Sequence, residues 1–183
     1  MGDDQAGREL LRPLLDLEPE LDTFATVPAR DLTDLHRDPP GPAPGRGEGW
    51  MLDAFDGDVA RPMVDAAGMD GTSQLLSVEV RHLEGALGRP DSNGGVLSHL
   101  DAAYAVYSVG IVMGPDAVAA IDRRLADLRV ATEPWLSRRR YFNFAERDVD
   151  PVSFYAQGDY GRLTAVREEV DPHGLFQAKH TIV

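Results

Sequence analysis

The order in which helical and strand-like periodicities follow one another is the feature that most limits how this chain can fold. Residues 76–83 alternate apolar and polar side chains, which is the period of a half-buried strand. After Gly114-Pro115-Asp116 the apolar residues recur three and four apart, as in an amphipathic helix that begins near a proline. The same criteria predict, in chain order, a strand at Trp50–Phe55, a helix at Asp58–Ala67 ended by Gly68, strands at Leu76–Leu83 and Tyr104–Met113, the helix after Asp116, a strand at Tyr141–Phe144 and a helix at Asp159–Val170.

The order strand, helix, strand, strand, helix, strand is the split βαβ pattern of ferredoxin-like folds. We therefore predict an α+β fold, in which a ferredoxin-like antiparallel sheet has its helices packed on one face only. The other face, called the open face below, must then meet solvent or a partner, or lie over a cavity.

The N-terminal part of the chain has a different character. A Leu-rich stretch at Glu9–Leu17 is predicted to be helical, and residues 38–49 then mix prolines with glycines. Neither a helix nor an inner strand is expected there, because proline removes a backbone donor and glycine adds backbone freedom. We interpret this tract as an exposed linker, the alternative being a loop laid over a partner or a cavity mouth. The predicted domains are residues 1–48, a helix and a loop, and residues 49–183, the α+β domain.

Composition excludes several classes of partner. The chain has 18 basic and 31 acidic residues, a net charge of −13, and such a surface repels nucleic acids and anionic membranes. It contains no cysteine, which excludes disulfides and thiolate zinc sites, and its five histidines lack metal-ligand spacing, so no metal is expected. No apolar run approaches the roughly 20 residues of a membrane span. The acidic N-terminus does not resemble a signal peptide. We expect a cytoplasmic protein, and its residue usage indicates a bacterial source.

Two predicted strands place polar side chains on the open face. On the 76–83 strand these are Ser77, Glu79 and Arg81, because Val78 and Val80 point the other way. A carboxylate and a guanidinium in that position could orient a substrate. The alternative is that Glu79 and Arg81 form an ordinary solvated or cross-strand charge pair.

The second strand is Tyr141–Phe144. Its period of two puts Tyr141 and Asn143 on one face and both phenylalanines on the other. The phenylalanines suit the helix-packed side, so the phenol and the amide are expected on the open face. Alternatively, Tyr141 is an ordinary strand aromatic.

The C-terminal third carries a family resemblance. Tyr141-Phe142-Asn143-Phe144 is followed by a helix and then by Asp171-Pro172-His173-Gly174-Leu175-Phe176 and His180-Thr181-Ile182. This order resembles the C-terminal end of the berberine-bridge-enzyme-like, FAD-linked oxidases of the vanillyl-alcohol-oxidase superfamily. Members close with a Tyr-x-Asn-aromatic strand, a short helix, an Asp-Pro turn and a last extended segment. The resemblance covers most of Leu75–Val183 and, more weakly, the stretch from Glu9.

The resemblance implies roles for particular residues. Tyr141 would project beside the substrate over the flavin and take part in deprotonating a hydroxyl, and Asn143 would help to hold the isoalloxazine. Some members carry a catalytic Glu or a Gln on the preceding strand, where this chain has Tyr107 or Ser108. That base is therefore absent, and we place Tyr107 among the candidate substrate-binding residues, with Glu79 and Arg81.

The family also needs a large flavin-binding domain, for which this sequence has no room. The resemblance therefore implies FAD bound through a missing domain or a partner chain, and an isolated chain without redox activity. The favoured function is the substrate-binding, C-terminal part of an FAD-dependent oxidoreductase that oxidises a hydroxyl- or amine-bearing carbon. The alternative is a free-standing ferredoxin-like module without redox chemistry, which binds a small molecule or forms a homodimer through the open face.

Overall fold

The structure, a computed structural model, describes residues 3–35, 41–68 and 73–183. The chain divides into two compact units, residues 1–42 and residues 43–183. None of the helices in the described ranges combines the length and the apolar character needed to cross a membrane. The helices and strands are α1 (Asp4–Leu15), β1 (Gly45–Leu52), α2 (Gly57–Ala67), β2 (Ser77–His82), β3 (Tyr104–Ile111), α3 (Ala117–Ala131) and α4 (Gln157–Val170).

The first unit contains α1. The helix begins after Asp3, whose side chain accepts a hydrogen bond from the Ala6 N–H at 2.7 Å and so satisfies one of the free donors of the first turn. Leucines along α1, including Leu10 and Leu14, are exposed. The predicted helix at Glu9–Leu17 is therefore the second half of a helix that begins earlier and ends at Leu15.

The second unit is built on a three-stranded antiparallel sheet with the order β1-β3-β2. Val106 in the central strand pairs with Trp50 of β1 on one side and with Val80 of β2 on the other. The chain crosses from β1 through α2 to β2, and β3 then inserts between them, as in a split βαβ unit. The predicted α+β fold with an antiparallel sheet is confirmed.

The main core lies between this sheet and two helices. Gly68 follows α2 with a φ of 76°, so it is the C′ glycine that the sequence predicts. Helix α3 buries Ile121, Leu125 and Leu128, the stripe seen in its sequence. The central cluster of buried side chains comprises Trp50 and Leu52 from β1, Val106 from β3, Val59 and Met63 from α2, and Leu128 from α3.

Two predictions about the sheet are wrong. The first concerns the Pro/Gly tract, whose described part ends in a strand and not in a loop. Gly45–Gly49 pair with Tyr107–Ile111 of β3 and form the first half of β1. The tract tolerates this because its last proline is Pro44 and because β1 is an edge strand, which needs pairing on one side only. Residues 38–40 of the tract lie outside the described ranges.

The second concerns Tyr141–Phe144, which does not form a strand. Phe142–Phe144 is a 3₁₀ turn, closed by a hydrogen bond of 3.0 Å from the Phe144 N–H to the Tyr141 carbonyl. A fourth strand is only begun: Leu52 and Leu136 form an isolated antiparallel bridge on the outer edge of β1. Beyond that bridge the chain leaves the plane of the sheet and folds over the open face.

Candidate functional site

The open face of the sheet lies opposite α2 and α3. Strand alternation, with the observed register, determines which side chains it carries. Glu79 of β2 pairs with Tyr107 of β3, and Tyr107 pairs with Gly49 of β1, so the three lie in one row across the sheet. Arg81 occupies the next row, opposite Ala105. The structure thus places three of the predicted site residues, Glu79, Arg81 and Tyr107, on the open face.

The 3₁₀ turn that carries Tyr141 and Asn143 lies directly on Gly49. A Cβ atom added at Gly49 would meet the Cβ of Phe144 and would lie 2.9 Å from its carbonyl oxygen. Only glycine leaves room for this approach. The prediction that Phe144 faces the helices is wrong, because residues three apart share a side in a 3₁₀ turn and Phe144 therefore accompanies Tyr141 onto the open face.

The turn and the sheet together form an aromatic shelf, defined as Tyr107, Tyr141 and Phe144. The Phe144 ring is central: its centroid lies 4.9 Å from that of Tyr107 and 4.9 Å from that of Tyr141. The Arg81 guanidinium carbon lies 5.1 Å from the same centroid, which is within the range of a cation–π contact. An apolar surface flanked by a cation therefore runs across the open face.

Polar groups line this shelf. The Asn143 side-chain amide donates to the Tyr141 hydroxyl oxygen at 3.0 Å, so the two side chains act on the same small region. Asn143 is exposed and Tyr141 is half-buried. Arg81 also donates to Glu79 through Nη2 at 3.1 Å. The charge pair anticipated from the sequence is present, and it borders the shelf through Arg81.

Glu146 borders the shelf, and the sequence did not predict its position there. One carboxylate oxygen accepts a hydrogen bond from the Tyr107 hydroxyl, and the other accepts from the Gly47 N–H at 2.9 Å. Burial first, and then the hydrogen bond to this carboxylate, raise the pKa of Tyr107 above its ordinary value of 10.0. No local pattern identifies Glu146, because the turn that carries it onto the sheet was expected to be a strand.

An ion-pair cluster follows the outer edge of β1. Glu48 is buried and pairs with Arg140 and with Arg147, whose Nε lies 2.9 Å from its carboxylate. Arg147 also pairs with Asp122 of α3 at 2.6 Å, and Arg46 binds the same carboxylate through two hydrogen bonds of 2.8 and 2.7 Å. The hydrogen bond from Arg46 is the main cause that lowers the pKa of Asp122.

The basic run Arg138–Arg140 makes several of its hydrogen bonds within the protein. Arg139 donates to the Tyr155 carbonyl, and Arg140 donates to Glu48 and to the Gly49 carbonyl. Two of the three arginines are therefore used inside the protein, and Arg138 is exposed.

The C-terminal tail is attached to the turn through His180. This side chain is 4% exposed, and its Nε2 donates to the Ala145 carbonyl at 3.0 Å. Its ring lies 5.5 Å from that of Phe142 and 5.0 Å from that of Phe154, edge to face. Asp171 holds the Asp-Pro turn, since its carboxylate accepts from the N–H groups of the two residues that follow Gly174. The last segment thus supports the turn from behind.

The shelf offers aromatic rings next to an exposed amide, and a polar ring system such as an isoalloxazine could make contacts to both. The shelf does not fit a dinucleotide pyrophosphate, since Arg81, Arg140 and Arg147 are each paired with a carboxylate. Across residues 3–35, 41–68 and 73–183, no group of three or more histidine or acidic side chains is arranged to hold a metal ion. A flavin at this site would need its phosphates held by other polypeptide.

Comparison with known protein families gives a match over the segment that carries the 3₁₀ turn. Residues 140–183 match the family described as berberine and berberine like. This segment contains Tyr141, Asn143, the Asp171 turn and His180. A search of curated protein sequences found no match.

Solved structures match the fold of the chain. The BBE-like 1 protein of Physcomitrella patens superposes with a TM-score of 0.72 at 12% identity, over 100% of this chain and 43% of that protein. Chitooligosaccharide oxidase gives 0.72 at 17% identity, over 99% and 44%. The grass pollen allergen Phl p 4, which has glucose dehydrogenase activity, gives 0.62 at 15% identity, over 87% and 37%. The chain spans less than half the length of these proteins. The resemblance to berberine-bridge-enzyme-like oxidases is confirmed, by the family match over residues 140–183 and by the shared fold.

Proposed function

We propose, from the premise that residues 140–183 belong to the berberine-like family, that this chain is the substrate-binding, C-terminal part of an FAD-dependent oxidoreductase. The reaction is the oxidation of a hydroxyl- or amine-bearing carbon. The flavin is held by a domain or a partner chain that this sequence does not include. The observation that carries the proposal is the meeting of all five predicted site residues at the open face and the turn that lies on it, where Asn143 donates to Tyr141 at 3.0 Å.

The residues have distinct roles in this proposal. Tyr141 accepts the substrate proton or orients the substrate, and Asn143 contacts the flavin ring with its exposed amide. Glu79 and Arg81 border the substrate, and Tyr107 contacts it from β3. A bound flavin supplies the capacity to accept a hydride, while this chain supplies orientation and a polar surface.

The exposure of the shelf supports a two-part site. Asn143 and Glu146 lie at the surface, and Tyr107 and Tyr141 are half-buried. Oxidation by hydride transfer requires a site from which water is excluded, and this face does not exclude water by itself. A second surface laid over the shelf would enclose the substrate. Two structural neighbours, an oxidase of chitooligosaccharides and a protein with glucose dehydrogenase activity, favour hydroxyl-bearing substrates.

A chimera tests the proposal. The chain would replace the superposable segment of chitooligosaccharide oxidase, and FAD content and anaerobic flavin reduction by a panel of sugars and primary alcohols would be measured. We expect the chimera to bind FAD and to be reduced. Tyr141→Phe should slow reduction by about 10²-fold with FAD content unchanged, because a proton acceptor is lost. Asn143→Ala should lower FAD content.

Tyr155→Phe is the matched control, since it removes a hydroxyl whose residue lies outside the shelf. Equal reduction rates in the unmodified chimera and in Tyr141→Phe would refute the role of Tyr141. A chimera that binds FAD but is reduced by no hydroxyl- or amine-bearing compound would refute the proposed function.

A further inference from the structure

The orientation of the Tyr107 hydroxyl is determined by Glu146. Both carboxylate oxygens of Glu146 are occupied, one by the Tyr107 O–H and the other by the Gly47 N–H at 2.9 Å. The carboxylate cannot rotate without losing a partner. Both groups lie over Gly47, where an added Cβ would stand 2.7 Å from the Tyr107 oxygen and 2.8 Å from a Glu146 oxygen. The pair is therefore a fixed unit of the open face.

A phenol has a single proton, and in this unit that proton is directed at Glu146. An ionised carboxylate can only accept hydrogen bonds, so Tyr107 must be the donor. A phenol with the ordinary pKa of 10.0 is protonated at neutral pH, and burial and this hydrogen bond raise the pKa of Tyr107 further. The lone pairs of its oxygen are then the hydrogen-bonding groups that Tyr107 can offer to a ligand on the shelf.

We infer that the Tyr107–Glu146 pair makes the open face selective for ligands that present an O–H or N–H donor beside Phe144, and that it rejects ethers and other ligands that can only accept there. This inference rests on the proposed function for the site and specifies the group that a substrate must present at β3. Glu146 acts as a positioning residue, and Tyr107 is the residue that touches the ligand.

The selectivity follows from which donors and acceptors face each other at the Tyr107 oxygen. A ligand hydroxyl can donate to the Tyr107 oxygen, whereas an ether oxygen in the same place would face another acceptor. Leaving two acceptors opposed lowers affinity by about tenfold or more. The Phe144 ring, 4.9 Å from the Tyr107 ring, provides a surface on which the carbon body of either ligand can pack equally well.

Benzyl alcohol and benzyl methyl ether are a matched pair of probes, because they share the aromatic body and differ in the donor. The full chain would be labelled with 3-fluorotyrosine, and the Tyr107 fluorine resonance would be assigned by its loss in Tyr107→Phe. Titration of each probe against this resonance gives two dissociation constants. We expect the alcohol to bind at least about tenfold more tightly than the ether.

Glu146→Gln tests the positioning role. The glutamine amide can donate to the Tyr107 oxygen, which frees the phenol proton to donate to an ether. The preference for the alcohol should therefore fall to about threefold or less, mainly through tighter ether binding. Glu84→Gln, an exposed glutamate next to His82, is the control and should keep the full preference. If Glu146→Gln disturbs the turn, Tyr107→Phe replaces it, read out from the Tyr141 resonance: alcohol affinity should fall and ether affinity should not.

Equal affinities of the two probes in the unmodified chain would overturn the inference. So would a tenfold preference that survives in Glu146→Gln, or a Tyr107 resonance that neither probe moves. None of these measurements involves a flavin. A chain that selects the alcohol but supports no flavin reduction would therefore retain the inference and refute the proposed function. A chain that shows no preference for the alcohol but supports flavin reduction would refute the inference and retain the proposed function.

Discussion

The guanidinium of Arg140 lies 3.0 Å from the main-chain carbonyl oxygen of Gly49, on the outer edge of β1. On the same edge, two residues before Gly49, the Gly47 N–H donates to the Glu146 carboxylate at 2.9 Å. Side chains thus satisfy backbone groups that a neighbouring strand would otherwise pair. An unpaired edge strand is open to association with other chains, and this arrangement blocks that edge. It also fixes both ends of the segment that carries the turn and the shelf.

Arg140→Met should destabilise the fold by about 3 kcal/mol, because the buried Glu48 loses one of its two cationic partners. Arg138→Met, in the same basic run but exposed, should change the free energy of unfolding by about 0.5 kcal/mol or less. Urea denaturation followed by circular dichroism measures both. Similar small effects of the two substitutions would show that the Glu48–Arg140 pair contributes little.

Gly49→Ala should destabilise the chain by about 1–3 kcal/mol, because the new Cβ would collide with the backbone of the turn at Phe144. Gly45→Ala is the control in the same strand, since its Cβ would lie 3.7 Å from the Val109 side chain, an ordinary contact. Thermal unfolding of both variants tests this. If Gly49→Ala and Gly45→Ala unfold at the same temperature, the turn at Phe144 does not pack against Gly49 as described.

The stability of the chain should fall in acid partly through Asp122. Its folded-state pKa is lowered, mainly by the hydrogen bond from Arg46, so it contributes stability that is present above the unfolded value of about 3.9. That contribution is lost as pH falls through the folded-state pKa. Asp122→Asn should cost up to about 1 kcal/mol at neutral pH and progressively less in acid. Urea midpoints across a pH series check this, with the exposed Asp127→Asn as control; a constant difference between wild type and Asp122→Asn would contradict it.

Tyr107 should affect the stability of the chain at alkaline pH, whereas Asp122 affects it in acid. Its folded-state pKa is raised, so its contribution to stability is complete below the unfolded value of about 10 and is lost as pH rises toward the folded-state value. Tyr107→Phe should therefore lose less stability than wild type as the pH is raised above 10. Unfolding free energies at a series of alkaline pH values measure this. Parallel curves for the two proteins would mean that the phenol is not shielded by burial and Glu146.

Much of the fold could be predicted because local periodicity decides it. The alternation around Val78 and Val80 and the helical stripe through Ile121 and Leu125 each reflect burial on one side, and the structure places them on the sheet and α3 as expected. Gly68 marked the end of α2 for a backbone reason that needs no tertiary information. The strand at Gly45–Gly49 could not be predicted, since two of its glycines are required by residues distant in sequence: Gly47 by Tyr107 and Glu146, and Gly49 by Phe144.

The site shows the same division. The face on which Glu79 and Arg81 lie followed from alternation within one strand. The neighbourhood of Tyr141 and Asn143 was found through a family motif, although the strand assumed for it is a 3₁₀ turn. Glu146 was missed because its position depends on that turn. A Tyr-x-Asn segment satisfies strand and turn patterns equally well, and only long-range contacts to Arg140 and Gly49 decide between them.

We propose that this face offers a phenol and an amide to a flavin held by other polypeptide. The most direct test is the flavin content of the purified 183-residue chain, read from its visible absorbance after exposure to excess FAD and removal of free ligand. We expect no retained flavin, because the shelf provides contacts to a ring but no unpaired cations for the pyrophosphate. Tightly bound FAD at one molecule per chain would contradict it.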